Sequence, residues 1–441
     1  MLIRNEDIIQ SISEALQYIS YTHPPDFIEA MKLAYEREEF AAAKDAIAQI
    51  LINSRMCLTG HRPICQDTGI INVFLEVGMD VRFEGSISLE DLVNEGVRQA
   101  YNNPINPLRA SIVKDPIGKR LNTRDNTPAV IHVRLVLGQT LNITVAAKGG
   151  GSENKARFVM LNPTDSVYEW IMSTVSTLGA GWCPPGMLGI GIGGTAEYAM
   201  YLAKKSLMEP INIQTLLHQE LKTPVEELRV ALYRDINNLG IGAQGLGGLT
   251  TVLDVKILEY PTHAASLPVA LIPNCAATRH IDFSLTGTGP ATFPIPDNTI
   301  WPKIVRDNTA TPIKINLDQL DETLLQSLKP GDNVLLSGTL LTGRDAAHKR
   351  LIHLIENNQP LPNGLDLKGR FIYYVGPVDP VGSEVTGPAG PTTASRMDKF
   401  TPLLLQKTGL KGMIGKAERG PLAIEAIKAH KALYLIAIGG A

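Results

Sequence analysis

Three of the four cysteines lie in loop-like sequence with a proline at most two residues away: Cys65 in "RPICQDTG", Cys183 in "GWCPPGMLG" and Cys275 in "LIPNCAATRH". Thiolates are soft metal ligands, and three loop thiols brought together by a fold would share a metal site. Taken singly, each is the small buried hydrophobe that a free cysteine usually becomes. No two form a C-x-x-C pair, so spacing leaves both readings open. Cys57, at the apolar end of "ILINSRMC", is assigned to packing.

Two turns carry cations. "LLTGRDAAH" places Arg344 where a strand ends and a helix begins, with Asp345 as the expected cap, and "GPAGPTTASRMDKF" places Thr392, Thr393 and Arg396 at another helix start. Free N–H groups and the helix dipole make such starts suitable seats for carboxylates. The plainer alternative is a pair of capped turns with solvated arginines.

Glycine offers a different chemistry. Gly189, Gly191 and Gly194 in "GMLGIGIGGTAEYA" satisfy G-x-G-x-x-G, as do Gly240, Gly242 and Gly245 in "NLGIGAQGLGG". A dinucleotide site needs a strand before the first glycine and an acidic residue about 20 positions beyond. "CPPG" precedes one run, and "LYRDINN", which reads as a helix end, precedes the other. Close backbone packing or a turn is the expected role of both.

The elements that must position these residues are mixed. "NEDIIQSISEALQYI" sets Ile8, Ile12 and Leu16 on one helical stripe, and "SLEDLVNEGVRQAY" opens on a capping-box-like Ser88 and Asp91. "AVIHVRLVLG" and "LNITVAA" read as strands, the second running into "KGGGSENK". From Thr286 to Pro312 five prolines break any period, which predicts a linker. Beyond it, "TPIKINL", "NVLLSGTL", "RFIYYVG", "KGMIG" and "ALYLIAIG" alternate with the helical "GRDAAHKRLIHLIEN" and "ERGPLAIEAIKAHK". The expected fold is an α+β first domain over residues 1–290, a linker over 291–310, and a smaller α/β domain of the swivelling β/β/α kind over 311–441.

With 441 residues, 41 Lys plus Arg against 44 Asp plus Glu and a net charge of -3, the chain lacks the basic field of a nucleic-acid binder. The N-terminal segment meets charges at Arg4 and Glu6 and has no apolar h-region, and no apolar run approaches a membrane span. A soluble cytoplasmic enzyme, with neither nucleic acid nor membrane as partner, is expected.

In family order the chain carries "PICQDTG", "AAKGGGSENKA", "WCPPG", "GIGGTAEYA", "THAASLPVA", "PNCAATRH", "LTGRDAAHKR" and "GPTTASRMDKFTP". With these it resembles the class I, iron-sulfur dependent fumarate hydratase and L-tartrate dehydratase family, with the alpha and beta parts fused in one chain. The resemblance implies that Cys65, Cys183 and Cys275 ligate a [4Fe-4S] cluster, leaving one iron open as a Lewis acid. It further implies that Gln66, Asp67, Arg109 and Gly150 bind a small dicarboxylate from the first domain while Arg344, Arg396 and Lys416, in "MIGKAERG", close over it from the second. Thr392 matches the base at carbon, a role that needs a strongly cationic pocket such as Arg396 and Lys416 would supply. Asp67, partnered by His263 of "THAASLP", would protonate the leaving hydroxyl; taken alone, Asp67 caps a turn and His263 is a core histidine.

The implied reaction is the reversible hydration of fumarate to L-malate, in a homodimer. L-tartrate dehydration and mesaconate hydration are the near alternatives, a catalytically silent cluster-binding subunit and a nicotinamide oxidoreductase the distant ones. Family members usually continue past "GGA", so a shortened second domain with an exposed sheet edge is expected.

Overall fold

The computed structural model describes residues 1–304 and 312–440. The last part of the expected linker, 305–310, and residues 311 and 441 lie outside the described residues. Two four-stranded sheets organise the first part of the chain. One has the order His280–Leu285, Leu141–Lys148, Ile70–Gly78, Val130–Val136; the other has the order Arg157–Leu161, Leu267–Asn274, Gly186–Gly193, Val252–Tyr260. The sequence segments read as strands, "AVIHVRLVLG" and "LNITVAA", supply two of them.

Register explains where the loops go. Ile70–Gly78 runs antiparallel to Leu141–Lys148 with Ile70 opposite Lys148, and Gly186–Gly193 runs antiparallel to Leu267–Asn274 with Met187 opposite Asn274. Antiparallel pairing places the start of one strand beside the end of its neighbour. The loops carrying Cys65 and Gly149 therefore emerge side by side in the first sheet, and those carrying Cys183 and Cys275 in the second.

Helical packing fixes each sheet. Helix Asn5–Tyr21 buries Ile8, Ile12 and Leu16 against Val73, Leu75, Ile143 and the helix Leu89–Tyr101; each such side chain contributes about 1.5–3 kcal/mol. Ser88 caps the second helix by accepting the Asp91 N–H at 3.1 Å. On the second sheet, Ile171, Val175, Leu232 and Ile236 from helices Val167–Leu178 and Pro224–Asn238 cover Leu188, Ile190, Val255 and Leu271.

Both glycine runs prove architectural. Gly189 and Gly191 lie inside the strand Gly186–Gly193, where an added Cβ would stand 2.2 and 2.0 Å from Ala203 O and Ala199 O of the crossing helix Ala196–Ser206. Only a bare backbone admits that helix. Gly240, Gly242 and Gly245 turn in the left-handed region, with φ of 66°, 67° and 77°.

The second part of the chain forms a parallel sheet in the order Leu341–Thr342, Phe371–Tyr373, Gly412–Gly415, Leu433–Ile436, and a parallel pair Ile313–Asn316 with Val334–Ser337. Tyr374, Met397, Leu404, Leu405 and Met413 fill its core. Leu433–Ile436 is an edge strand. The described part of residues 291–310 is strapped to helices of the first part of the chain: Ser11 Oγ accepts the Ala291 N–H at 2.9 Å, and Trp301 Nε1 donates to Ser54 Oγ at 3.0 Å. No helix among the described residues is long and apolar enough to cross a membrane.

Candidate active site

Cys65, Cys183 and Cys275 share one apolar cluster with Cys57, Ile64 and Ala277. The loops are stitched together directly, since Ala276 N–H donates to Cys183 O at 3.0 Å. Beneath them lies His23, 1% exposed, with Nδ1 2.8 Å from Ser54 Oγ and Nε2 3.0 Å from Ala276 O. Burial, aided by the nearby Arg279 charge, lowers the His23 pKa to about 3 against the opposing bond to Ala276, so His23 is a neutral prop. Cys57 differs from the other three. It lies in helix Ala41–Gly60, its Sγ donates to Asn53 Oδ1 at 3.5 Å and Pro63 O at 3.7 Å, and burial pushes its thiol to about 12.

A cation faces the thiols. The buried Lys416 ammonium donates to Cys183 Sγ. Burial works to lower its pKa, and the sulfur, as charge and acceptor, more than offsets this, so the ammonium stands above the ordinary lysine value. Burial raises Cys65 to about 11, with Arg279 opposing it.

The carboxylate of Asp67 is held by backbone. Oδ1 accepts the Gly69 N–H at 3.1 Å and Oδ2 accepts the Gly150 N–H at 2.8 Å. The glycine run at the end of Leu141–Lys148 thus reaches the cysteine loop through Asp67. Gln66 beside it is buried, and its Oε1 meets no donor among the described residues.

Three guanidiniums come from both parts of the chain. Arg109 Nη1 donates to Gly376 O, and a Cβ built on Gly376 would stand 3.0 Å from Arg344 Nε and 3.1 Å from Arg109 Nη1. Arg344 is held below the ordinary arginine value by burial and then by the charges of Arg109 and Arg396. Arg396 Nη1 donates to Thr392 Oγ1 at 3.3 Å. Thr392, 7% exposed, is fixed by its N–H on Tyr374 O at 2.7 Å and its carbonyl under Lys416 N at 3.1 Å.

Further bonds seat the second part on the thiol loops. Thr393 Oγ1 donates to Gly181 O at 3.2 Å, Ala180 N–H to Glu418 Oε2 at 3.2 Å, and Gly439 N–H to Gln244 Oε1 at 2.8 Å. Arg62 and Glu384 form an ion pair at 2.7 Å.

Three expectations are corrected. Asp345 does not cap its helix: Arg344 occupies the cap position without a side-chain cap bond, Asp345 is the first helical residue, and its carboxylate binds Arg396. A neighbouring guanidinium outbids the backbone N–H for that charge. His263 is not a core histidine, and among the described residues no hydrogen bond joins it to Asp67. It sits exposed between Val252–Tyr260 and Leu267–Asn274, accepting the Ala265 N–H at 3.1 Å. The segment holding Arg396 is also not an α-helix start but a 3-10 turn, Ala394–Phe400, leading into the helix Thr401–Thr408.

Arg279 escaped the sequence reading although it lies in "PNCAATRH". It is 3% exposed, and its Nε and Nη2 find no acceptor among the described residues. Its place four residues after Cys275 was the available signal.

Compared with known proteins, residues 9–284 match the sequence model described as "Fumarate hydratase (Fumerase)" and residues 287–441 the one described as "Fumarase C-terminus". The chain belongs to the fumarate hydratase family. Within that family it is 28% identical over 459 aligned positions to the anaerobic class I fumarate hydratase of Escherichia coli, covering 99% of this chain and 82% of that protein. It is 29% identical over 444 positions to fumarate hydratase 2 of Leishmania major, covering 94% of this chain and 74% of that one. A Methanocaldococcus jannaschii protein, named provisionally as an L(+)-tartrate dehydratase alpha subunit, is 34% identical over 279 positions, 62% of this chain and 94% of its own length.

No group of three or more His, Cys, Asp or Glu among the described residues is arranged to hold a single metal ion. An iron-sulfur cluster is a larger body, whose ligands stand around it rather than converge on one ion. Three thiols from three loops, with the buried cations Lys416 and Arg279 beside them, form a set that fits such an anionic group.

Proposed function

We propose that this chain hydrates fumarate reversibly to L-malate, at a site between its two parts where Cys65, Cys183 and Cys275 hold a [4Fe-4S] cluster. The observation that carries this reading is the joint one: three loop thiols in one apolar cluster, Cys183 and Cys275 buried and Cys65 half-buried, with Lys416 on one of them. The match of the family models along both halves of the chain supports it, and so do class I fumarate hydratases aligned across both parts.

Bound there, the cluster supplies Lewis acidity that polarises the hydroxyl being added or lost. The rest follows from the chain's own residues. Arg109, Arg344 and Arg396 receive the substrate's carboxylates, and an incoming anion offsets the burial and the neighbouring charges that together depress Arg344; each charge-assisted hydrogen bond contributes about 1.5–3 kcal/mol. Asp67, immobilised by two backbone N–H groups, takes the proton released by water at the hydroxyl-bearing carbon and returns it in dehydration. Thr392 Oγ1 delivers a proton to the other carbon, and the Arg396 N–H on that oxygen, with the Lys416 ammonium, favours the alkoxide that remains. Solvent exchange then restores both groups. His263, on the surface of this chain, has no step here. The proposal includes a homodimer in a reducing cytoplasm.

The test is anaerobic purification with iron and sulfide assay, followed by turnover on fumarate, malate, tartrate and mesaconate. Fumarate and malate are expected to be the best substrates of iron-loaded protein. Full activity in iron-free protein refutes the reading.

A further inference from the structure

Arg279 sits on the short connection from Leu267–Asn274, through Cys275, to His280–Leu285. A guanidinium keeps its charge in any protein environment and carries five donors. Here it is 3% exposed, with Nε and Nη2 unbonded among the described residues. Burying a charge without a partner is among the most destabilising arrangements a fold can hold. The backbone keeps it in place nonetheless: its carbonyl accepts the Ala147 N–H at 3.0 Å.

Its surroundings indicate what the charge is for. A Cβ built on Gly149 would lie 3.7 Å from Arg279 Nη2 and 3.4 Å from Asp67 Oδ2, so a glycine keeps the space between them open. The Arg279 charge acts on Cys65, Tyr101 and His23. Tyr101 OH is spent on Thr68 O at 2.9 Å and His23 on Ser54 and Ala276, so neither offers an acceptor. Asp67, across Gly149, already accepts the Gly69 and Gly150 N–H groups, and the other anionic neighbour is the thiol centre at Cys65.

We propose that Arg279 is a positioning residue, the fixed counter-cation of the thiolate centre, which donates its free N–H groups to the anionic group held by Cys65, Cys183 and Cys275. This rests on the cluster reading above. Lys416 meets the centre from the second part of the chain at Cys183, and Arg279 balances it from the first part beside Cys65, so the negative charge is neutralised from two sides.

The experiment compares wild-type, Arg279→Met and Arg279→Lys after anaerobic reconstitution with ferrous iron and sulfide. It reads iron and sulfide per chain, the rate of iron release to a chelator, and thermal unfolding of the iron-free proteins. Loss of such an outer partner weakens metal retention by about 10- to 100-fold, so Arg279→Met is expected to release iron faster by that factor, with Arg279→Lys between it and wild type. Iron-free Arg279→Met is expected to be at least as stable as iron-free wild type, because two buried N–H groups without an acceptor are gone. Unchanged iron release, or a raised KM for fumarate with unchanged release, overturns the inference, and so does an iron-free Arg279→Met less stable than wild type. A wild-type chain that takes up no iron overturns the functional reading itself.

Discussion

Substituting Gly376 by alanine tests the arginine seat without touching a charge. The new methyl would stand 3.0 Å from Arg344 Nε and 3.1 Å from Arg109 Nη1, about 0.3–0.4 Å inside an ordinary van der Waals separation. Gly376 is not among the glycines with positive φ, so the backbone accepts alanine and the two guanidinium ends must move apart. A misplacement of about 1 Å at a reacting centre costs roughly 100-fold in rate, near 2.7 kcal/mol. Scaled to this displacement, the loss is about 1 kcal/mol, or roughly fivefold in kcat/KM. The change is expected chiefly in KM, because the arginines bind carboxylates in ground and transition states alike. Steady-state kinetics on fumarate and malate with iron-loaded protein measure it, with iron content and thermal unfolding as controls. An unchanged KM in a folded, iron-loaded variant would show that Arg109 and Arg344 do not hold the substrate.

Cys57→Ala should keep full iron content and lose about 1 kcal/mol of stability by truncation in the core, whereas serine at Cys65, Cys183 or Cys275 should abolish iron retention; iron assay and thermal unfolding separate the two. Lys416→Met removes the ammonium on Cys183, and iron release to a chelator should accelerate about 10- to 100-fold. His23 supplies a pH signature: its pKa falls from 6.5 to about 3 on burial, so the unfolded chain binds the extra proton first. Its contribution to stability is complete above pH 6.5 and is lost as pH falls from there towards 3, at up to about 1.4 kcal/mol per pH unit. Unfolding of iron-free protein between pH 7 and pH 5 should therefore show a shallower pH dependence in His23→Gln.

The residues that the sequence left out are instructive. His23 and Arg279 are unremarkable as letters; burial and partners make them matter, and both depend on chain segments far away in sequence. Asp345 read as a cap because helix starts favour aspartate, and it became an Arg396 partner because a separate turn delivered a guanidinium to it. His263 sat in a family motif, yet its turn ends at the surface of this chain.

Local spacing decided the helices and strands. Ile8, Ile12 and Leu16 recur with a helix's period, and the alternation in "LNITVAA" needs one buried sheet face. The same letters carried the ordered motifs that place the chain in its family. What the letters could not decide was convergence. The pairing of Ile70 with Lys148 and of Met187 with Asn274 sets loop beside loop, and the bonds from Thr393, Glu418 and Gly439 bring the second part of the chain onto the thiols. Secondary structure follows from neighbours a few residues apart, but a pocket's charge and burial follow from register and packing between distant segments, which no local pattern encodes.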